Sequence, residues 1–398
     1  MRWRTRTLRL ALIVSVLCVL GDGDVSLAQE PPAPQAVSRE QLKNALDKLG
    51  DLDYATRTAA ARTLRRTPGA QAVPALLQAV AEHADGYVRY RALVLLTGFN
   101  DPRTGDAMRE ALRSPNDRLR ATAYSFFEHH PDSAMVPLLV EALDKEVGEF
   151  VRPALVRALA AHGGDPRVQP VLVREVGRGQ NYFRSAIIEA LGDYKAHYAY
   201  DAIVGVARLD GPLQVDGAIA LGKIGEKRAV EVLSGLQQSA PKTSQPYIAA
   251  AICLLGINCG SHERYLIETL RFSDKHIGFQ ELLRGAASGL GALAVAGHTE
   301  AYDALVEIGI PSRDPTRAPV ALALGTIALR NTALTLAALE KDPEPAPTLA
   351  LVGEGFDMLE EDLDKERFFA LVRRTFWESA AGSPTRRLMQ TLIAKLDF

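Results

Sequence analysis

Five histidines, His130, His162, His197, His262 and His298, recur in or near the turns between short helical segments. Imidazole nitrogen in such a row is a ligand for zinc or copper. Equivalent atoms of adjacent helical units stand roughly 8–10 Å apart, however, whereas the ligands of one ion lie about 2 Å from it. Only His129–His130 with Asp132, or His162 with Asp165, could gather locally. The turn histidines are therefore expected to be solvated, and no metal site is assigned. An acidic run, Glu354–Glu366 (EGFDMLEEDLDKE), precedes Arg373 and Arg374. It lacks the alternating Asp/Asn and central glycine of a calcium loop. Acid at a helix start and base at its end suit the helix dipole instead.

A second row is arginine: Arg57, Arg89, Arg120, Arg152 and Arg184, at intervals of 32, 31, 32 and 32 residues. Such a ladder could clamp a polyanion. Asp53, Asp85 and Asn116 each stand four residues before their arginine, which favours helix caps and contacts within or between repeats, a structural ladder. In the same phase, Asp216 and Ile248 replace the arginine. No H-E-x-x-H, G-x-S-x-G, phosphate-binding loop, dinucleotide fingerprint or paired-cysteine zinc motif occurs. Gly289 and Gly291 lie inside an apolar helical pattern. No catalytic residue and no cofactor is assigned, and the chain is read as non-catalytic.

The elements that position these residues are short amphipathic helices. In Gly211–Leu236, Val215, Ala218, Ile219 and Gly222 form one apolar stripe, Gly225 ends the helix, and Ala229, Val232, Leu233 and Leu236 form another. Two such helices cannot bury both stripes alone and need neighbours of the same kind. From Asp53 onward the pattern recurs at about 31–32 residues, with the last apolar position of each second helix at Val80, Leu112, Leu143, Val176, Leu236, Leu270 and Leu339. One unit around 275–310 is longer, and a pair near Thr348–Trp377 is poorly formed.

The 398 residues are 47% hydrophobic but only 6% aromatic, a mix suited to closely packed helices. Residues 1–28 read as a signal peptide: Arg2, Arg4, Arg6 and Arg9, then an apolar run over Leu10–Leu20, then Ser26-Leu27-Ala28 as the cleavage site. Eleven apolar residues are too few for a comfortable bilayer span. The formal net charge of −2 becomes −4 without that segment, which argues against nucleic acid as a partner. Residues 29–38 (QEPPAPQAVS) read as a Pro-rich linker, and 39–398 as the repeat array. Export permits disulfides. Cys253 and Cys259 would stand about 9 Å apart on a continuous helix, too far for a bridge. Gly256 could break the helix and bring them together. A local disulfide and a core cysteine beside a loop cysteine both remain open.

The stretches Asp85–Ala92 (DGYVRYRA), Val151–Val168 (VRPALVRALAAHGGDPRV) and Val215–Leu236 resemble HEAT repeats, especially the short bacterial kind also found in the phycobilin lyase HEAT-like group. The resemblance covers about residues 50–380 and rests on spacing. It implies an all-α fold, a right-handed α-solenoid (α-α superhelix) of about ten HEAT-like helix pairs, capped by helices at 39–49 and 384–396. It also implies a binding surface on the concave side, lined by second helices, where the register places Glu110, Glu141, Arg174, Arg178, Arg208 and Arg271. The function expected is that of an exported, periplasmic or extracellular scaffold with an unknown protein partner. Two alternatives are an accessory enzyme or lyase-like cofactor-attachment factor, and an envelope structural protein held by an uncleaved N-terminal anchor.

Overall fold

The computed structural model describes residues 33–149 and 151–398. The signal peptide read over 1–28 and the linker's first positions, 29–32, lie outside the described residues. Every regular element among the described residues is helical. The first half comprises α1 (Arg39–Asp47), α2 (Tyr54–Arg65), α3 (Gly69–Glu82), α4 (Gly86–Thr97), α5 (Arg103–Ala111), α6 (Asp117–His129), α7 (Val136–Lys145), α8 (Val151–Ala161), α9 (Gln169–Val176), α10 (Asn181–Asp193) and α11 (Tyr200–Ala207). The second comprises α12 (Gln214–Ile224), α13 (Ala229–Ser239), α14 (Gln245–Leu254), α15 (Cys259–Asp274), α16 (Gln280–Val295), α17 (Thr299–Gly309), α18 (Arg317–Arg330), α19 (Thr332–Lys341), α20 (Pro345–Met358), α21 (Asp362–Glu378) and α22 (Pro384–Leu396).

The even-numbered helices from α4 to α20 pack on one another in succession, whereas consecutive odd-numbered helices barely touch. The closely packed set therefore forms the inner, tighter side of the curve and the odd set the outer side. Composition explains the division. In α18, Val320, Ala321, Ala323, Leu324, Gly325, Ile327 and Ala328 are all buried, because the helix is covered by its outer partner and by both inner neighbours. Outer helices bury one stripe only, as α7 does with Val136, Leu139 and Leu143. Glycine and alanine let inner backbones approach. A Cβ on Gly222 of α12 would lie 2.6 Å from the Ala251 carbonyl of α14.

In Gly211–Leu236 the chain forms α12 and α13, with Gly225 at φ +84° closing the first. Of the stripe Val215, Ala218, Ile219 and Gly222, only Ala218 and Gly222 are fully buried in α12, and Gly217, Ala220, Leu221 and Ile224 are buried beside them, as an inner position requires. The longer unit around 275–310 reflects two 16-residue helices, α15 and α16. The helices near Thr348–Trp377, α20 and α21, are each fully formed, the second with 17 residues, but they pack little on each other: α20 packs on α18 and α21 on α22. The buried core divides at α14, with residues 42–255 in one cluster and 249–398 in the other. That division falls where Asp216 and Ile248 interrupt the arginine row.

The linker is docked at its end. Gln35 N–H donates to the Arg66 carbonyl at 2.9 Å, and Val37 N–H donates to Gln71 Oε1 at 3.1 Å. Ser38 then caps α1 through a reciprocal box with Gln41. Among the described residues no single helix is long and apolar enough to cross a membrane. The helices α18 and α19 pass that test only together, and they meet at 111°.

Candidate functional site

The arginine row serves the joint between an outer helix and the inner helix that follows. Arg89 Nε donates to the Val80 carbonyl at 2.8 Å, Arg152 Nη1 to Leu143 at 2.6 Å and Arg184 Nε to Val176 at 2.9 Å. Arg57 reaches the carbonyls of Asp51 and Leu52, and Arg120 that of Ser114. Carbonyls at a helix C-terminus lack partners within the helix, and a guanidinium supplies several donors at once. Two of the arginines also reach the next unit: Arg120 pairs with Glu146 at 2.8 Å and Arg152 with Glu175 at 2.8 Å. Asp53, Asp85 and Asn116 cap the inner helices through backbone N–H groups. Asp216, which replaces the arginine, accepts from Ser185 Oγ at 2.7 Å.

The expectation that Glu110, Glu141, Arg174, Arg178, Arg208 and Arg271 line the concave face is overturned. They lie on or just beyond the outer helices α5, α7, α9, α11 and α15. Several pair along that outer surface: Glu141 with Lys145, Arg174 and Arg178 with Asp144, and Arg271 with Glu307 at 2.9 Å. The cause is the repeat frame. Helix α3 packs more extensively on α4, and α11 on α12, than α4 does on α5 or α12 on α13. Through α3–α12 each pair is therefore an outer helix followed by an inner one, whose second helix lines the inner face; beyond it the outer helices pack on both neighbours, α15 on α14 as well as on α16. Framed this way, α3/α4 to α21/α22 make ten pairs.

Part of the inner face is covered by the protein's own α21. This helix leaves the outer path and lies against α4, α6 and α18. Its acidic first turns meet cations from both ends of the array. Asp362 pairs with Arg91 of α4 at 2.8 Å and accepts a hydrogen bond from the Tyr90 hydroxyl. Asp364 pairs with His129 of α6 at 2.7 Å, and Glu361 with Arg330 of α18 at 2.8 Å. Glu366, 1% exposed at its side chain, lies 2.7 Å from Arg65 of α2 and 3.2 Å from Arg373 of its own helix. Beyond it, Asp397 pairs with Arg62 of α2. The second cap expected at 384–396 thus lies beside the first helices rather than at a free end. A polar cluster continues along the inner face, where Arg157 binds Glu128 at 2.9 Å and Asp193 at 2.8 Å, and Lys223 binds Asp193 at 2.6 Å.

The run Glu354–Glu366 is therefore a clasp for distant helices rather than only a complement to its own helix dipole. Burial raises the cost of ionising Asp362, but Arg91 and Lys365 outweigh it and hold its carboxyl at about 2. Asp364 is also held low, with His129 and Arg330 overcoming burial. Burial dominates at Glu361 and pushes its carboxyl up. A carboxylate with a depressed value stabilises the fold above its unfolded value near pH 4, and that contribution disappears as pH falls toward 2. For Asp362 the loss is about 2 kcal/mol. Acidification from pH 5 to pH 2 is expected to loosen the clasp, seen by small-angle scattering as a larger radius of gyration before far-ultraviolet helicity falls. Loss of helicity first would contradict it.

Beside the clasp is a cavity of about 370 Å³, walled by Tyr54, Arg57, Arg91, Phe356, Lys365 and Phe369. Most of its cations are committed, Arg57 to carbonyls, Arg65 to Glu366, and Arg91 and Lys365 to Asp362, while Lys395 also lines it.

The two rims of the array differ. Turns that lead from an outer to an inner helix carry exposed apolar side chains at Leu52 (98% exposed), Val147 (81%), Leu209 (63%) and Ile277 (73%), with Phe279 and Ile310 at the same class of position and Tyr182 at the start of α10. The opposite rim carries polar turns and most of the turn histidines. Two of these are not simply solvated. His162 is buried, with Nδ1 2.7 Å from the Ala158 carbonyl, and its Nε2 lies 3.0 Å from the Asp132 N–H of the preceding unit. His298 stands beside Cys253 and Cys259, whose Cα atoms are 4.1 Å apart and whose sulfurs are joined. Left-handed residues at Gly256 (φ +74°) and Asn258 (φ +44°) fold the short turn that brings these cysteines together.

Residues 73–160 match the family of HEAT repeats. The match begins in α3 and ends in α8, three outer-then-inner pairs in the frame found above. A comparison with curated proteins finds no match. Among solved structures, the chain is similar to YibA of Escherichia coli at 17% identity and a TM-score of 0.41, over 55% of this chain and 82% of that one. It is similar to importin beta at 11% identity and a TM-score of 0.36, over 90% of this chain and 58% of that one. It is also similar to the complex of CpcE and CpcF of phycocyanin lyase from Nostoc sp. PCC7120, at 16% identity and a TM-score of 0.26, over 83% of this chain and 97% of that one.

Proposed function

We propose, on the premise that this chain is a HEAT-repeat solenoid, that it is an exported, non-catalytic scaffold holding a protein partner along its apolar rim. The observation that carries this reading is the placement of Leu52, Val147, Leu209, Ile277, Phe279 and Ile310 on one class of turn, with Tyr182 at the start of α10. Single exposed apolar residues are ordinary, but a row of them along one edge is the pattern of an interaction surface. Part of the inner face, where such a scaffold would otherwise bind, is covered by α21 against α4, α6 and α18. The charged outer helices, with Arg208 and the pairs around Asp144, would border the rim and add polar contacts. The leader over residues 1–28 supports export.

Crosslinking in intact cells followed by mass spectrometry tests the proposal. A partner linked to the outer-to-inner turns, and lost in a Tyr182→Asp, Leu209→Asp double variant of unchanged melting temperature, is the expected result. Links confined to the polar rim, or capture unaffected by the double variant, would refute the rim. N-terminal sequencing of the mature protein tests export by showing whether the chain starts at Gln29.

A further inference from the structure

Cys253, Cys259 and His298 each place one ligand atom within 4.8 Å of the others, from three separate elements. Cys253 lies in α14 and is buried, Cys259 opens α15, and His298 precedes α17. Cys259 Sγ is 3.8 Å from His298 Nδ1. Beside the ring is Glu263, one helical turn beyond Cys259. Its side chain is 9% exposed, and its Oε1 is 3.6 Å from His298 Nδ1. That oxygen is buried and has no hydrogen-bond partner. A buried carboxylate oxygen left without a donor is costly, and a cation bound beside His298 Nδ1 would satisfy it. The His298 side chain is 31% exposed, so an ion can reach the cluster from solvent.

We propose that Cys253, Cys259 and His298 form a binding site for a zinc-class divalent ion, open when the cysteine pair is reduced, with the Glu263 carboxylate adding negative charge beside the His298 nitrogen that faces Cys259. Two thiolates and an imidazole are the donor set that zinc prefers over calcium or magnesium. In the disulfide form the sulfurs are bonded to each other and offer no thiolate. A dithiol reductant supplies two electrons and two protons: the Cys253–Cys259 bond breaks, two thiols form, and the reductant closes as its own disulfide. Binding of the ion then displaces both thiol protons to solvent.

The test is titration of the full chain with cobalt(II) and zinc(II), with and without a phosphine reductant. One equivalent of cobalt should give thiolate-to-metal charge-transfer absorption only in the reduced protein, and zinc should bleach it. His298→Ala should abolish tight binding, and Glu263→Gln should weaken it about 10- to 100-fold. Circular dichroism of each variant separates loss of the site from loss of the fold. Absence of the sulfur-to-cobalt band in the reduced, folded protein would overturn the proposal. So would zinc affinity unchanged in folded His298→Ala or in Cys259→Ser.

Discussion

Replacing Glu366 with alanine is expected to destabilise the protein by about 3–5 kcal/mol. The carboxylate is buried between two guanidiniums, Arg65 from α2 and Arg373 from α21, themselves largely buried. Removing it leaves both cations facing each other without a counter-charge, and the desolvation already spent on them is not recovered. The same pair joins positions 301 residues apart in the chain. The variant should therefore not only melt at a temperature lower by several degrees but also expand in small-angle scattering, since α21 loses its hold on α2. Glu366→Gln, which keeps the shape and some hydrogen bonding, should lose less. A variant that melts like the parent and keeps its radius of gyration would show that the hydrophobic contacts of α21 alone close the array.

The second large effect is expected at Gly355. The inner helices α18 and α20 cross there with their backbones nearly touching. A Cβ on Gly355 would stand 2.2 Å from the Ala321 carbonyl oxygen and 2.9 Å from the Gly325 Cα. Neither neighbour is a flexible side chain, so relief requires α20 to move bodily. Overpacking of a tight core costs about 1–3 kcal/mol, and a contact this short on backbone atoms belongs at or above the top of that range. Gly205 in α11 provides the contrast: nothing lies within 4 Å of its Cβ position. Alanine there should stabilise by about 0.5–1 kcal/mol through helix propensity. Thermal melts of Gly355→Ala and Gly205→Ala should thus shift in opposite directions. A neutral Gly355→Ala would show that the crossing is looser than its geometry indicates.

The sequence made the repeating helix and the joints between helices legible because both are local. The arginine row and the caps at Asp53, Asp85 and Asn116 act within about ten residues, and spacing carries that information directly. The frame of the pair was harder. An inner helix and an outer helix both show apolar residues at helical spacing, and only three-dimensional packing reveals that α3 belongs with α4. Misplacing that frame moved Glu110, Glu141, Arg174 and the rest from the outer surface to the inner one. The clasp was hidden for a different reason. Glu361, Asp362, Asp364 and Glu366 look like ordinary acids at a helix start, and nothing in their neighbourhood announces partners in α2, α4, α6 and α18. The site at Cys253 and Cys259 was legible as a pair through Gly256. Its third member arrives from 39 residues away, outside any motif spacing.

An open repeat array is held only by contacts between neighbours, so it can unzip from either end one unit at a time. The Arg65–Glu366 contact changes that behaviour. Inner pairs such as α6 with α8 rely on nearby segments and can form early, whereas the clasp must wait until the chain has been built through α21 and its long intervening loop has closed. Folding is thus expected to separate into rapid accumulation of helical units and a later closing step. Once closed, the first and last units shield each other from fraying, and the array gains the all-or-none unfolding of a single globular core.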